Sequence, residues 1–357
     1  MRAPDPREEA PIRVLIVDDS VVARAVLSRL LGEHEDVQVV ACAGSAPAAL
    51  RILEDTRVDI ILLDLEMPGV DGLTALPGLI AQSHGARVLI VSSACADGAS
   101  ASLSALRAGA ADTLLKPNAA AFTTGFAKDL VDKLRRIARP ASMPPARLPV
   151  QRACVLDSGR SARVECVAIG SSTGGVHALA TFFAGLPRTF NAPILVTQHL
   201  PAPFTEIFAS QLTEIAGRRT RVAAPGLQPI PGELLLAPGD AHLTLVRTGT
   251  VIHVRLERKR SASGCLPSVD PMFASIAALY GPAAVGVVLS GMGKDGAVGA
   301  AALVEHGGTI LAQDQESSVV WGMPGAVTNA GLARLVAHPG ELARRLAEWN
   351  AGTGQWT

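Results

Sequence analysis

Residues 12–17, IRVLIV, form a short continuous run that is apolar apart from Arg13. A run of that kind is a stable strand only when both of its faces are covered, which points to a parallel sheet with helices on both sides. Similar runs recur at 59–63, 87–91 and 113–115. Between them lie segments of helical period such as 21–31, in which Val22, Val26, Leu27, Leu30 and Leu31 share one side. Alternation of strand and helix with right-handed crossovers predicts a doubly wound α/β domain over residues 10–137. Residues 138–163 hold Pro140, Pro144, Pro145 and Pro149 among small polar residues without sustained period, the pattern of a linker. Apolar runs resume at 164–169, 193–197, 233–237, 285–289 and 308–312, so a second α/β domain is expected over 164–348. Within it, residues 243–246 and 248–256, joined at 247–249, predict a β-hairpin.

Composition narrows the function classes. Among 357 residues, 32 Lys and Arg balance 32 Asp and Glu, so no global field draws the chain to nucleic acid or to anionic lipid. Apolar residues at 48% and charged residues at 18% exclude a disordered chain. The uncharged stretch from Pro271 to Gly293 has the length of a membrane span. Pro282 and the glycines at 281, 286, 291 and 293 interrupt it, so helix, turn, buried strand and loop are expected there and no membrane insertion. The opening MRAPDPREEA lacks the apolar core of a secretory signal, which predicts a cytoplasmic protein. Cys42, Cys95, Cys154, Cys166 and Cys265 form no C-x-x-C pair and read as reduced, buried thiols.

Asp18 and Asp19 follow the first run, and Asp64 follows the run at 59–63. In a doubly wound sheet the carboxyl ends of neighbouring strands converge on one crevice, which would bring three carboxylates together. Like charges at close range call for a compensating cation, and an all-oxygen set favours Mg²⁺. Ser92 and Lys116, at the ends of the fourth and fifth strands, add a hydroxyl and an ammonium to the same rim. Such a set can handle a phosphoryl group. Taken singly, each acidic residue is also an ordinary loop start or helix cap.

The run at 164–169 leads directly into GSSTGG, residues 170–175, and then into a helical segment. Neither G-x-G-x-x-G nor GK[ST] is present. Three readings remain: a phosphate nest at a helix N-terminus, a plain Gly-Ser connection with Ser172 or Thr173 capping the helix, and a nucleophile turn. In the third, Gly170-x-Ser172-x-Gly174 exposes a serine hydroxyl on a sharp strand-to-helix turn. The hydroxyl needs a base. His199, in TQHLP at the end of the next run, is the candidate, with His242 and His177 less favoured. Asp295, in SGMGKDGA after the run at 285–289, could orient the imidazole, and the glycines around it could offer N–H groups to an oxyanion.

Asp18-Asp19, Asp64, Ser92 and Lys116 before Pro117 resemble the receiver domains of two-component response regulators. That resemblance implies Asp64 as phosphoryl acceptor, Mg²⁺ held by Asp18, Asp19 and the backbone carbonyl of Glu66, and Ser92 and Lys116 in contact with the phosphoryl group. Thr113 stands where receivers usually carry an aromatic residue. GSSTGG, TQHLP, APGDAH, PSVDPMF, SGMGKDGA and SVVWGMPGAV, in this order behind such a receiver, resemble the chemotaxis response-regulator family of protein-glutamate methylesterases/glutamine deamidases. Cys265-Leu266 precedes Pro267 where members of that family often carry Arg. The resemblance implies a flavodoxin-like receiver followed by a Rossmann-like hydrolase domain carrying the hairpin. It also implies Ser172 as nucleophile, His199 as general acid/base, Asp295 as its orienting partner, Met292 N–H in the oxyanion hole and Thr173 in support. No cofactor is expected for the ester hydrolysis itself. The implied partners are the cytoplasmic domains of chemoreceptors as substrate and a chemotaxis histidine kinase as phosphodonor. Two rivals remain at this point: the same esterase acting on a receptor-like protein of a parallel pathway, and a non-catalytic binding module controlled by phosphorylation.

Overall fold

The structure, a computed structural model, describes residues 10–92, 96–116, 124–138 and 163–352. These fall into two compact units, one on either side of the proline-rich stretch. Residues 139–162 of the expected linker lie outside the described residues.

The first unit runs β1 (Ile12–Val17), α1 (Val21–Gly32), β2 (Val37–Ala43), α2 (Ala46–Asp55), β3 (Ile60–Leu63), α3 (Gly72–Gln82), β4 (Arg87–Ser92), α4 (Ala96–Arg107), β5 (Asp112–Leu115) and α5 (Thr124–Ala138). Its five strands pair in parallel in the order β2-β1-β3-β4-β5, the doubly wound arrangement in which the order reverses beside β1. β1 and β3 are almost continuously buried because helices cover both faces.

The second unit runs β6 (Cys166–Ser171), α6 (Gly175–Gly185), β7 (Ile194–Gln198), α7 (Thr205–Ala216), β8 (Thr220–Val222), β9 (Leu234–Leu236), β10 (His242–Thr248), β11 (Val251–Glu257), α8 (Val269–Tyr280), β12 (Ala284–Val288), α9 (Ala297–Glu305), β13 (Thr309–Gln313), α10 (Met323–Asn329), β14 (Ala333–Ala337) and α11 (Pro339–Asn350). Seven of its strands form a parallel sheet in the order β14-β13-β12-β6-β7-β9-β8, and β10 and β11 form a separate antiparallel hairpin. The order reverses at β6, which lies between β7 and β12. Residues after the carboxyl ends of those three strands therefore open into one crevice. The stretch 271–293 is the rest of α8, a turn, β12 and the loop beyond it, and no described helix is long and apolar enough to cross a membrane.

Three details depart from the sequence reading. Val21 and Val22 are exposed at the start of α1, whose burial rests on Leu27 and Leu31 one and two turns further on. The hairpin turns at Gly249-Thr250, because Arg247 and Thr248, polar and exposed, still pair with Ile252 and Val251. Of the cysteines expected to be buried, Cys166 is; Cys42 is exposed on the edge strand β2, and Cys265 is half-buried in the segment between β11 and α8.

Phe182, fully buried in α6 and set edge-on to Phe183, anchors that helix in the second unit's core. Phe182→Ala is expected to cost about 3–5 kcal/mol of stability, read as a lower urea midpoint with an unchanged m-value.

Candidate active site

The turn after β6 is clamped from both neighbouring strands. Ser172 N–H donates to Ser290 O (3.0 Å) beyond β12, and the Gln198 amide at the end of β7 donates to Ser172 O (2.9 Å) while accepting from Ser171 Oγ (2.6 Å). Gly174 then adopts φ +75°, and a Cβ there would fall 2.5 Å from the Cβ of Val319, so the chain can enter α6 only through glycine. Ser171 is fully buried; Ser172, the next residue, keeps part of its surface open. Gly291 packs against the same serine: a Cβ at 291 would lie 2.4 Å from Met323 Sδ and 3.0 Å from Ser172 Cβ.

The register that pairs Ser171 with Gln198 sets Ser172 beside His199, whose N–H donates to Ser171 O (3.0 Å). His199 Nε2 lies 2.8 Å from Asp295 Oδ2. Among the described residues no hydrogen bond joins the Ser172 hydroxyl to the imidazole, a separation common in unliganded sites that tighten on binding. With Nε2 directed at Asp295, Nδ1 is the nitrogen left for the serine. Met292 follows Gly291 in the same loop, and Thr173 is buried with its carbonyl accepting from Ser290 Oγ (2.8 Å).

Asp295 is 1% exposed and collects donors: His199 and Val269 N–H (2.7 Å) on Oδ2, Ser268 Oγ (2.6 Å) and Ser263 Oγ (2.9 Å) on Oδ1. Burial alone would push its pKa up, but the hydrogen bond and charge of His199, with Ser268 and Val269 N–H, hold it well below the usual carboxylate range. His242 is a support and not a base. Its Nδ1 accepts Ser268 N–H (2.9 Å) and its Nε2 reaches Lys259 O (2.6 Å), so both nitrogens are occupied by backbone. His177 is exposed on α6.

Ser263, Ser268 and Asp270 escaped the sequence reading. Ser268 and Asp270 were legible in PSVDPMF, where polar residues precede a buried helix, but nothing local says that their target is Asp295. Asp270 in the first turn of α8 accepts Gly299 N–H (2.8 Å). Burial and the charge of Asp295 push its pKa up to about 6.

In the first unit Lys116 Nζ bridges Asp64 (2.6 Å) and Asp18 (2.9 Å), both buried, with Asp19 exposed beside them. One oxygen from each of Asp18, Asp19 and Asp64 lies within 4.8 Å of the others. Three carboxylates against one ammonium leave two negative charges, and the donors are all oxygen, so a divalent cation fits the group. Burial, with the charge of Asp18, raises the pKa of Asp64 although Lys116 and Glu66 N–H favour its charged form. Lys116 loses charge preference to burial, yet its bonds to Asp64 and Asp18 raise its pKa. Glu66 N–H donates to Asp64 Oδ1 (3.2 Å). Ser92 is fully buried with its hydroxyl paired to Ser102 Oγ (2.6 Å), not to the carboxylates. Thr113 is buried in β5 with no hydrogen-bond partner for its hydroxyl among the described residues.

Residues 167–346 match the CheB methylesterase family and residues 14–123 the response regulator receiver domain family. The chain is 44% identical over 332 residues to protein-glutamate methylesterase/protein-glutamine glutaminase 2 of Caulobacter vibrioides, covering 91% of this chain and 95% of the relative. It is 40% identical over 368 residues to protein-glutamate methylesterase/protein-glutamine glutaminase 1 of Paramagnetospirillum magneticum, covering 96% of each. Among solved structures, the Thermotoga maritima CheB methylesterase catalytic domain aligns with a TM-score of 0.50 at 36% identity, over 52% of this chain and 97% of that domain.

The raised pKa of Asp270 has a measurable consequence. The folded state holds the Asp270 proton up to about pH 6, whereas an ordinary aspartate releases it near 3.8, so its contribution to stability falls as pH rises through that window. Asp270→Asn keeps an acceptor for Gly299 and removes the charge. Its stability relative to the parent, from urea unfolding at pH 4, 5 and 7, should improve up to about pH 6 and then level off. A difference that does not change with pH would contradict the assignment.

Proposed function

The chain belongs to the CheB methylesterase family, with a response regulator receiver domain ahead of the esterase, and from that premise we propose that it is a phosphorylation-activated serine hydrolase that removes methyl groups from glutamate side chains of chemoreceptors. The observation that carries the reading is the His199–Asp295 pair at 2.8 Å in the crevice where the Ser172 turn ends. In this reading the receiver spans 10–137, a linker 138–163 and the catalytic domain 164–348.

In this reading Ser172 Oγ attacks the ester carbonyl carbon as His199 takes its proton, and Asp295 stabilises the imidazolium. The carbonyl oxygen becomes an oxyanion, held by Met292 N–H with Thr173 supporting the turn. His199 returns the proton to the methoxide oxygen, the C–O bond breaks and methanol leaves. Water then attacks the acyl carbon as His199 takes its proton, the bond from that carbon to Ser172 Oγ breaks, and His199 returns the proton to Oγ, which frees glutamate and restores the serine hydroxyl. The same steps on a glutamine side chain would release ammonia. Asp295, kept ionised by its donors, is suited to oppose the positive charge that the imidazole acquires.

The receiver would control this activity. Asp64 would accept a phosphoryl group from a chemotaxis histidine kinase, with Lys116 and Ser92 contacting it. The Ser92 hydroxyl would first have to leave Ser102. Asp18, Asp19 and the Glu66 carbonyl would hold Mg²⁺, which when bound offsets charge on the carboxylates and phosphoryl oxygens. Activation requires a differential affinity of the phosphorylated receiver for one arrangement of the chain. In this reading the protein works in the cytoplasm, beside the receptor's substrate helices and the kinase.

Ser172→Ala should lower methanol release from methylated receptor by at least about a thousandfold with the fold intact. Undiminished release would refute the nucleophile. A small-molecule phosphodonor with Mg²⁺ should raise the activity of the parent chain and leave Asp64→Ala unchanged; equal stimulation of both would refute receiver control.

A further inference from the structure

Cys265 has no role in the ester chemistry, yet it lies against the groups that do. One ligating atom from each of His199, Cys265 and Asp295 falls within 4.8 Å of the other two. The cysteine is half-buried in the segment between β11 and α8. Its chain neighbours tether that segment to the carboxylate on both sides, Ser263 Oγ at 2.9 Å and Ser268 Oγ at 2.6 Å from Asp295 Oδ1. The thiol is therefore held at the site by residues bonded to the same side chain.

We propose that His199, Cys265 and Asp295 form a binding site for Zn²⁺ or a similar borderline-soft divalent ion, and that occupation of this site switches the hydrolase off. An imidazole nitrogen, a thiolate sulfur and a carboxylate oxygen are a three-ligand set that suits zinc and leaves a fourth position for water. The oxygen-only trio of the first unit differs in kind and suits Mg²⁺. Four-coordinate zinc places such ligands about 3.3–3.6 Å apart. The His199–Asp295 contact of 2.8 Å would open by a few tenths of an ångström, and the sulfur, carried on a loop segment and within 4.8 Å of both partners, would close in by about an ångström or slightly more at most. Burial and the charges of Asp295 and Asp270 push the thiol's pKa up, so without metal it keeps its proton. Binding forms the Zn–S bond as that proton passes to solvent, and Zn²⁺ with one thiolate, one carboxylate and a neutral imidazole makes an electrically neutral site. The imidazole lone pair and the carboxylate are then engaged by metal and unavailable to Ser172. The binding half stands on the cluster alone; the inhibition rests on the hydrolase reading.

The test uses the full reduced chain with excess Mg²⁺ to saturate the oxygen site of the receiver. Co²⁺ serves as the optical probe. One equivalent should produce a thiolate-to-cobalt charge-transfer band with visible four-coordinate transitions, and Zn²⁺ should displace it. Cys265→Ser and Cys265→Ala, each checked for the parent's circular dichroism, should lose the band while Cys42, Cys95, Cys154 and Cys166 remain. In the methanol-release assay zinc should inhibit the parent chain, a chelator should restore it, and Cys265→Ser should retain basal activity and need at least about tenfold more zinc for half-inhibition. Absence of the band, an equal band in Cys265→Ser, or equal zinc sensitivity of the two chains overturns the proposal. A band in a chain that releases no methanol leaves the metal site standing and removes the hydrolase reading; an active chain without the band removes the metal site alone.

Discussion

The second unit is organised around a carboxylate that has lost its water. Asp295, at 1% exposure, stays ionised because four donors replace solvent: the His199 imidazole, the hydroxyls of Ser263 and Ser268, and Val269 N–H. They come from the end of β7, from the segment after the hairpin and from the first turn of α8, where the helix dipole adds its positive end. Each of these pieces is positioned by the demand of one anion. His242 extends the network a step further: by fixing Ser268 through its backbone it fixes a hydroxyl that would otherwise rotate. Asp270, the next residue after Val269, shares the helix start but has fewer donors against its burial and feels the charge of Asp295, so its proton is held where that of Asp295 is lost.

Parallel topology explains why residues 172, 199 and 295, far apart in the chain, share a crevice. β6 lies between β7 and β12, and all three strands run the same way, so their carboxyl ends come out together. This rule made the strand-end residues legible before any coordinates, since a continuous apolar run marks a doubly buried strand and the residue after it marks the crevice. The rule weakens at the edges of the two parallel sheets, where of four edge strands only β5 was read. β2, β8 and β14 were absent from the sequence reading, and all three are edge strands. Half-covered strands break the buried pattern: β2 mixes buried and exposed positions, and β8 and β14 hold no fully buried residue, so no apolar run announces them. The site residues that were missed reach Asp295 from a loop and from a helix start, where position carries no such periodic signal.

Side-chain direction is a second quantity that spacing does not encode. Ser92 ends β4 as expected, yet its hydroxyl turns to Ser102 on α4. Lys116 ends the fifth strand as expected, but burial of Asp64, with the charge of Asp18 beside it, outweighs the ammonium and leaves Asp64 with a raised pKa. The residual double negative charge is then a property of the whole group, and it makes a divalent cation the natural complement in the first unit.

The motif SVVWGMPGAV has no titratable group, and its place beside the chemistry follows from packing. Ser290 Oγ donates toward the carbonyls of Thr173 and Val320, and Val320 N–H donates back to it, so one hydroxyl ties the nucleophile turn to this motif. Gly291 accepts from Met323 N–H and bridges to Trp321, while its missing side chain is the space occupied by Met323 Sδ and the flank of Ser172. The indole N–H of Trp321 is anchored to Gln313 O at the end of β13. The serine therefore rests on a backboard of backbone and sulfur that is itself bonded to the next strand, and a shift of Ser172 would have to break contacts in three motifs together. Such stiffness lowers the reorganisation needed when a carbonyl arrives, which is the physical reason for motifs without reactive side chains to stand in register with those that have them.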